Sequence, residues 1–388
     1  MREIAVIGIG QTPISENWKQ SIRELASQAV LNALKDANRN TVDGIFVGNM
    51  LSGILSGQEN LGAMIANWSG LRDKEAFKVE AACSSGAAAL RVAIMAIGSG
   101  ELDSVIAVGV EKMTEKKGVE VTESLATAAD ADYEVVQGLS FVAINALIMQ
   151  RYMHEYKWRH TDFAPFSINA HENALRNPYA RLQERITKED YKRSRMVAEP
   201  INLLDASPIG DGAAAVVLVP VESLKRLTKK NGRPRILIVG SAASTDTLAV
   251  HSRRHPLWLS AAEKSARFAY SQARVGPDDI DLFELHDAFS ILSALSLEAC
   301  GFIEPGQGPR LGLEGEIRPL GSIPISTLGG LKARGHPVGA TGIYQINEVI
   351  QQLRGEAGPS QVPDAHIGMA QNIGGSGTTI ITHILRIE

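Results

Sequence analysis

Residues 329–342 read GGLKARGHPVGATG, a glycine-rich stretch in which His336 stands just before the start of a predicted helix. Residues 81–90 read AACSSGAAAL, and here Cys83 stands between a predicted strand and the start of an alanine-rich helix. Both stretches occupy the same junction in two similar runs of strands and helices. This correspondence predicts a duplicated chain in which a thiol and an imidazole lie on equivalent elements.

Apolar runs and helical spacing predict the same order of elements in each half of the chain. The elements predicted for the first half are a strand over Ile4–Ile9, a helix over Ser21–Leu34, strands over Val42–Gly48 and Phe77–Ala82, a helix over Ala87–Ile97 and a strand over Ser104–Val110. Those predicted for the second half are a strand over Arg235–Gly240, a helix over Ser260–Ala273, a strand over Ile280–Leu285, a helix over Gly339–Leu353 and a strand over Ala365–Ala370. This alternation is typical of an α/β fold. It predicts one largely parallel sheet in each half, with helices on both faces.

The pattern divides the chain into three parts. Residues 1–110 and 199–230 form the predicted first core domain, and residues 231–388 form the predicted second core domain. Residues 111–198 have no counterpart in the second half and are richer in charge. We therefore predict that they form an inserted loop domain that covers the substrate.

Composition excludes several classes of function. The 388 residues carry a net charge of −4, so no overall positive field favours nucleic acid or an anionic membrane as a partner. No uninterrupted apolar run reaches the roughly 18 residues of a membrane span, and the start of the chain carries no cleavage signal. Two cysteines, Cys83 and Cys300, are too few for a disulfide framework. We expect a cytoplasmic enzyme with reduced thiols.

Cys83 is the first candidate for chemistry. A helix start presents unpaired N–H groups and the positive end of the helix dipole, so we expect the pKa of this thiol to lie below its usual value of about 8.5. The alternative is that Cys83 is a small buried apolar residue, as most free cysteines are. The motif alone leaves both interpretations open.

Three further positions complete the predicted site. His336 lies at the position equivalent to Cys83, so the duplication brings a base towards the nucleophile. His286 follows a predicted strand, and chemistry gathers beyond the carboxyl ends of strands in such sheets. The stretch from Gln371 to Gly377 reads QNIGGSG, and its N–H groups are candidates for an oxyanion hole. A plain polar residue or a tight turn is the alternative in each case.

Two familiar signals fail. Gly8 and Gly10 begin a dinucleotide-type pattern, but Pro13 occupies the third glycine position, so we exclude NAD binding. His251 and His255 have helical spacing, but the proline that follows them favours a loop over a metal site. No metal site is predicted.

Taken together, these motifs resemble those of the thiolase family over almost the whole chain. AACSSGAAAL around Cys83 resembles the nucleophile motif, and GHPVGATG from Gly335 resembles the family's histidine motif. HDAF, which begins at His286, resembles a third block. The resemblance implies a duplicated α/β fold, with two βαβαβ core domains in a layered α/β/α/β/α arrangement and an inserted loop domain.

The resemblance also implies an activity, namely acyl transfer between coenzyme A thioesters that makes or cleaves 3-ketoacyl-CoA by a Claisen condensation. On this basis Cys83 carries the acyl group, His336 is its base, and the N–H groups of Cys83 and Gly374 form the oxyanion hole. Acetyl-CoA and acyl-CoA are then the substrates, with no permanently bound cofactor. We assign the remaining proton shuttle to His286, acting directly or through water.

Two positions depart from the family pattern. Asn372 stands where classical thiolases have a second catalytic cysteine, and Ala288 stands where some members with histidine in the third block have one. Two alternatives therefore stay open. One is a ketoacyl-synthase-like condensing enzyme, and the other is an acyl-CoA-binding, thiolase-like subunit of a complex with hydroxymethylglutaryl-CoA synthase and a small zinc-containing bridging protein. A homodimer or homotetramer is expected from the resemblance.

Coenzyme A carries phosphates, which require a basic contact. Residues 176–195 contain seven basic and three acidic side chains, and we expect Arg185 and Lys188 to contact the phosphates. Ser241 is a further candidate for the coenzyme A site. The alternative is that this basic segment is only a solvated helix face.

Overall fold

The computed structural model describes residues 2–226 and 233–388, so the domain boundary predicted at residues 230 and 231 lies outside the described residues. The strands are β1 Ile4–Gln11, β2 Gly44–Gly48, β3 Glu75–Val79, β4 Val105–Glu111, β5 Met196–Ala198, β6 Ile201–Asn202, β7 Gly212–Pro220, β8 Ile236–Thr245, β9 Leu282–Glu284, β10 Ile367–Gly374 and β11 Thr379–Ile387. The helices are α1 Ile22–Asp36, α2 Ser52–Leu55, α3 Leu61–Trp68, α4 Ser85–Ser99, α5 Gly118–Ala126, α6 Phe141–Tyr156, α7 Ala164–Ala174, α8 Lys188–Arg193, α9 Ser260–Ala273, α10 Ser290–Ala299, α11 Gly308–Glu314 and α12 Thr341–Leu353. A π-helical turn spans Gly330–Arg334.

Nine strands form one sheet in the order β3-β2-β4-β7-β1-β8-β11-β10-β9. The prediction of a separate sheet for each half is therefore wrong, because β1 and β8 pair antiparallel from Ile4↔Ile238 to Val6↔Ile236 and join the halves. The prediction of a largely parallel sheet is also wrong. Strands β7 and β11, which the sequence analysis did not assign, run antiparallel to both of their neighbours near the middle of each half.

The helices form the expected layers on the two halves. Helix α1 packs on β1, β7 and β4, and helix α9 packs on β8 and β11, so these two helices are the outer layers. Helices α4 and α12 contact each other and lie between the half-sheets. The layered α/β/α/β/α arrangement is confirmed.

Glycines let the two middle helices approach through their backbones. A Cβ atom on Gly86 of α4 would lie 2.8 Å from the carbonyl oxygen of Gly339. A Cβ atom on Gly342 of α12 would lie 2.4 Å from the backbone nitrogen of Ala87. Only glycine fits at such distances, so the small residues in both motifs serve the contact between the helices that follow Cys83 and His336.

Residues 111–198 carry helices α5 to α8. Of these, α7 packs against the Gly330–Arg334 turn and against α10 and α11, so the insertion covers the second half of the fold. By length and composition one described segment, Ala82–Ser99, is apolar enough to cross a membrane. It includes Arg91 and α4, and 56% of it is buried, as is usual for a core helix of the middle layer.

Candidate active site

Cys83 lies on a tight turn just before α4. The N–H groups of Ser84 and Ser85 donate to the carbonyl oxygens of Ala81 and Ala82, each at 3.0 Å. Ala82 has a φ of 52°, an uncommon left-handed conformation for a residue with a side chain. The turn places the side chain of Cys83 in a small apolar cluster that includes Val338 of the histidine motif, and the residue is 8% exposed.

The protonation state of Cys83 differs from the prediction. Burial and, to a smaller extent, the Glu111 carboxylate raise the pKa of its thiol to about 12. The N–H groups of Gly375 and of Cys83 itself favour the thiolate, but their effect is smaller. The expectation that a helix start lowers this pKa is therefore wrong, because loss of hydration outweighs the nearby N–H groups.

Of the two ring nitrogens of His336, only Nδ1 has a hydrogen-bond partner among the described residues. Its Nδ1 lies 2.7 Å from Oγ1 of Thr341, and that hydroxyl donates to the carbonyl oxygen of Pro337 at 3.1 Å. A hydroxyl has one proton, so Nδ1 of His336 must be the donor to Thr341, and Nε2 keeps a free lone pair. Burial and, to a smaller extent, the Arg334 guanidinium lower the pKa of His336 to about 3, so the ring is a neutral base.

His286 has the opposite arrangement. It stands two residues after β9, and Nδ2 of Asn372 donates to its Nδ1 at 2.9 Å. Because Nδ1 accepts this hydrogen bond, the proton of the neutral ring sits on Nε2. Burial lowers the pKa of His286 well below its usual value, and His336 and Arg334 lower it further.

The two imidazoles lie side by side. Their ring centroids are 5.1 Å apart and the rings are nearly perpendicular, at 86°. The hydrogen bonds of Thr341 and Asn372 make one ring an acceptor at Nε2 and the other a donor at Nε2. One ring of the pair can therefore remove a proton, and the other can donate a hydrogen bond to a developing negative charge.

Gly374 meets the Cys83 turn. A Cβ atom on Gly374 would lie 2.5 Å from the carbonyl oxygen of Ala81 and 2.8 Å from Oγ of Ser84. The last strand, predicted over Ala365–Ala370, continues in the structure as far as Gly374. It is β10, which turns at residues 375–378 into the antiparallel β11.

Glu111 is a site residue that the sequence analysis missed. Its carboxylate accepts from the N–H groups of Met50 at 3.0 Å, Leu51 at 3.2 Å and Gly339 at 3.1 Å, and from Nδ2 of Asn49 at 2.8 Å. It therefore ties the end of β4 to the histidine motif. Burial raises the pKa of Glu111 to about 7 against these hydrogen bonds. An acid at the end of an apolar strand, VIAVGVE, is the signal that marks it.

Comparisons with known proteins decide the family. The family description "Thiolase, N-terminal domain" matches residues 4–222, and "Thiolase C-terminal domain-like" matches residues 242–387. The chain belongs to the thiolase family. As a thiolase it is an acyltransferase, and its duplicated fold is that of the family.

Two relatives match this thiolase over nearly their full lengths. It is 45% identical to an acetyl-CoA acetyltransferase of Methanothermobacter thermautotrophicus and 37% identical to one of Methanocaldococcus jannaschii, with 99% of each chain covered in both cases. Among solved structures, it is similar to the Ltp2-ChsH2(DUF35) aldolase, with a TM-score of 0.86, 26% identity, and 99% of this chain and 98% of that chain covered.

Two buried cationic side chains, Lys332 and Arg334, precede His336 in this thiolase, and the sequence analysis missed both. Arg334 donates to Glu348 at 2.9 Å and lies against the ring of Tyr344. The ammonium group of Lys332 donates to the carbonyl oxygen of Asp205, and burial lowers the pKa of Lys332 to about 8. A lysine and an arginine within the glycine-rich stretch before His336 are the signal from which they could have been found.

Within the described residues, none of the residues predicted to contact coenzyme A forms a hydrogen bond with Cys83, His286 or His336. Arg185 is exposed and forms two hydrogen bonds of 2.7 Å with Glu172. Lys188 is the first residue of α8. Ser241 lines a separate cavity, whose lining contains none of Cys83, His286 and His336. In the described part of the thiolase, no three His, Cys, Asp or Glu side chains are grouped as a metal ion would require.

Proposed function

We propose that this thiolase transfers acyl groups between coenzyme A thioesters through an acyl-enzyme on Cys83, with acetyl-CoA as one substrate. The observation that carries the proposal is the pair of opposite tautomers, an Nε2 with a free lone pair on His336 and a protonated Nε2 on His286, in adjacent rings. Val338, two residues after His336, packs in the same apolar cluster as Cys83. The acetyl-CoA acetyltransferases to which the chain is similar support this choice of substrate.

In the first half-reaction, Nε2 of His336 takes the proton of the Cys83 thiol as the sulfur attacks the thioester carbonyl. The N–H groups of Cys83 and Gly374 stabilise the oxyanion. The adduct then collapses, the bond to the sulfur of coenzyme A breaks, and the departing thiolate takes the proton from His336. This leaves an acyl-enzyme and a neutral imidazole.

In the second half-reaction, the carbonyl oxygen of acetyl-CoA accepts a hydrogen bond from Nε2–H of His286. This acidifies the C2 proton, and Nε2 of His336 removes it. The carbanion attacks the acyl-enzyme, a carbon–carbon bond forms, and the bond from the acyl group to Cys83 breaks. The Cys83 sulfur recovers its proton from His336, and 3-ketoacyl-CoA leaves. The reverse sequence is thiolysis.

The environment of His286 supports a different role from the proton shuttle that the sequence analysis assigned to it. Asn372 occupies the lone pair on Nδ1, and the other nitrogen already carries a proton. A ring in this state donates a hydrogen bond but accepts no proton without losing a buried partner. We therefore give the shuttle to His336 and the oxyanion contact to His286.

The raised pKa of Cys83 is compatible with this scheme. A thiol that stays protonated in the resting enzyme is protected from oxidation and alkylation. Its proton moves to His336 as the carbon–sulfur bond forms, so no free thiolate is needed. The scheme needs only side chains of the protein and the substrates to move its protons. We therefore propose that coenzyme A thioesters are substrates and that no cofactor is bound permanently. We also propose that the enzyme is cytoplasmic.

Recognition of the coenzyme A phosphates is proposed for the basic segment that contains Arg185 and Lys188. Lys188 forms no ion pair with a described carboxylate and has its charge available, whereas Arg185 shares its charge with Glu172. Lys188 is therefore the stronger candidate. Ser241 is not used in this proposal.

A second candidate function is an acyl-CoA-binding subunit in a complex with hydroxymethylglutaryl-CoA synthase and a small zinc-containing bridging protein. Asn372 and Ala288, which stand in place of cysteines, favour it. The similarity to the Ltp2-ChsH2(DUF35) aldolase also favours it, because that name joins two components.

We also propose a homodimer or homotetramer, because β3 is an edge strand of the sheet and the side chain of Phe77 on it is 55% exposed.

The test is thiolysis of acetoacetyl-CoA by the purified chain and by two serine variants. Cys83→Ser is expected to lose thiolysis, whereas Cys300→Ser, which changes the other buried thiol, is expected to keep it. Full activity in Cys83→Ser would refute the proposal. A folded wild-type chain without turnover, which gains it when purified with partner proteins, would favour the second candidate.

A further inference from the structure

A basic groove lies on the second half of the fold, away from Cys83. It is a cavity of about 670 Å³ between α4, the end of α9 and the strands β1 and β8. We define the basic groove by the five residues of its lining that carry the argument: Arg91, Ser241, Gln272, Arg274 and Arg386.

The groove exists because β1 and β8 separate after their short pairing. Beyond Ile238, the edge of β8 that faces β1 has no strand partner, although the other edge stays paired with β11. Side chains form the hydrogen bonds of this open edge instead. The N–H of Ser241 donates to Oε1 of Gln272 at 2.7 Å, and the carbonyl oxygen of Ser241 accepts from Arg91 at 2.7 Å. One residue from α9 and one from α4 thus close the open edge.

The duplicated first half has a related arrangement, which provides an internal comparison. There the N–H of Ile9 on β1 donates to Oδ2 of Asp36 at 2.9 Å, and the carbonyl oxygen of the next residue, Gly10, accepts from Asn347 at 3.0 Å. Asn347 is the seventh residue of α12, as Arg91 is of α4. Asp36 is the last residue of α1 and Gln272 the last but one of α9, and this half also has a cavity, of about 790 Å³.

The two halves differ in charge at this point. Asp36 is a carboxylate, and it neutralises Arg233 at 2.6 Å and Arg354 at 2.9 Å. In the second half the corresponding residue is the neutral amide Gln272. The arginines around it therefore have no equivalent counter-charge.

Glu3 also lines the cavity of the basic groove, but it forms no ion pair with any of the three arginines, so their charges are not directly neutralised within the described residues. Arg91 is half-buried, and only the carbonyl oxygen of Ser241 contacts its guanidinium. Neither Arg274 nor Arg386 forms an ion pair or hydrogen bond through its side chain with any described residue. Arg2 also lines the cavity, but Asp103 and Glu222 already pair with it. Burial lowers the pKa of Arg91, and no carboxylate opposes this effect.

We propose that the basic groove binds a small anion that carries adjacent phosphate groups. Three guanidinium groups supply the planar, paired donors that phosphate oxygens prefer. The hydroxyl of Ser241 is buried and has no hydrogen-bond partner in the described residues, so it is free to donate to the same anion. The volume lies in the usual range of small-ligand sites, roughly 300–1,000 Å³. This proposal does not depend on acyl transfer at Cys83.

The test is a calorimetric titration of the full chain with inorganic pyrophosphate. We expect wild-type protein to bind one pyrophosphate, and the double variant Arg274→Gln with Arg386→Gln to bind it roughly tenfold or more weakly. Gln272→Glu is the sharper variant. Its carboxylate still accepts from Ser241, reproduces the arrangement of Asp36, and is expected to abolish binding while the melting temperature is kept.

Arg318→Gln is the matched control, because Arg318 lines a different cavity and should leave pyrophosphate binding unchanged. No binding by wild-type protein would overturn the proposal, and so would equal affinity in the wild type and Gln272→Glu. Displacement of pyrophosphate by ATP alone supports a free nucleotide as the natural source of the anion. Displacement by both ATP and desulfo-coenzyme A supports a groove that accepts any molecule with a diphosphate group.

Discussion

Nδ2 of Asn372 donates to Nδ1 of His286 at 2.9 Å, and both side chains are buried. This one hydrogen bond fixes the proton of the neighbouring ring on Nε2. A position where classical thiolases have a cysteine therefore holds an amide that acts through a histidine. In the proposed mechanism of this thiolase, His336 is therefore the base and His286 is the hydrogen-bond donor.

Asn372→Asp tests this division. A carboxylate accepts where the amide donated, so it draws the proton of His286 to Nδ1 and raises the pKa of the ring. The neutral ring then has no proton on Nε2, and we expect kcat for condensation at pH 8 to fall about 100-fold, as when one oxyanion donor is removed. Activity should recover in part towards acid pH, where the imidazolium regains its Nε2–H. An unchanged kcat and pH profile would contradict the assigned tautomer.

The resting state of Cys83 predicts its reactivity. Because burial raises the pKa of the thiol to about 12, the thiolate fraction at pH 7 is very small and grows about tenfold per pH unit. The rate of alkylation by iodoacetamide should therefore rise steadily from pH 7 to pH 10. The measurement uses Cys300→Ser, so that only Cys83 reports. A plateau below pH 8.5 would show instead that the helix start lowers the pKa.

Glu111→Gln should have two measurable effects. The amide NH₂ would replace an acceptor that faces several N–H donors, so we expect a loss of about 1–3 kcal/mol in the free energy of unfolding, measured in urea. The change also removes a negative charge that raises the pKa of Cys83, and alkylation at pH 9 should become faster. A slower or unchanged alkylation rate in a folded variant would contradict the electrostatic link between the two residues.

Lys188→Glu tests the coenzyme A contact. Charge reversal at a phosphate contact should raise KM for acetyl-CoA severalfold and leave kcat nearly unchanged, because the contact is made equally in the ground and transition states. Lys264→Glu, on the exposed face of α9, is the matched control. If both variants have the KM of the wild type, the segment around Lys188 is only a solvated helix face.

Much of the fold could be predicted from the sequence, because amphipathic helices have a clear period. The helix predicted over Ser260–Ala273 has those bounds in the structure, and the one predicted over Ser21–Leu34 differs by one or two residues at each end. Strand direction could not be predicted. Strand β7 is buried on both faces and begins with a glycine and three alanines, so it has no alternation and its first half has weak strand propensity. Without β7 and β11, the remaining predicted strands alternate with helices, which predicts parallel pairing.

The site divides in a similar way. The motifs of Cys83, His286 and His336 were visible, because glycine and small residues mark close backbone approach. The role of Glu111 depends on a contact across the two halves, and that of Asn372 on a contact with a residue 86 positions away in the same half, separations that no local pattern covers. The pKa of Cys83 was predicted with the wrong sign because its burial depends partly on Val338, which comes from the other half. Burial outweighed the local helix-start effect.

The most direct test of the central claim is to locate the acyl group. The chain is incubated with acetyl-CoA, quenched in acid, digested and mapped by mass spectrometry. The account predicts one acetyl group per chain, attached as a thioester to Cys83 and absent from Cys83→Ser. An acetyl group on Cys300 or on any other residue of an active enzyme, with Cys83 unmodified, would contradict it.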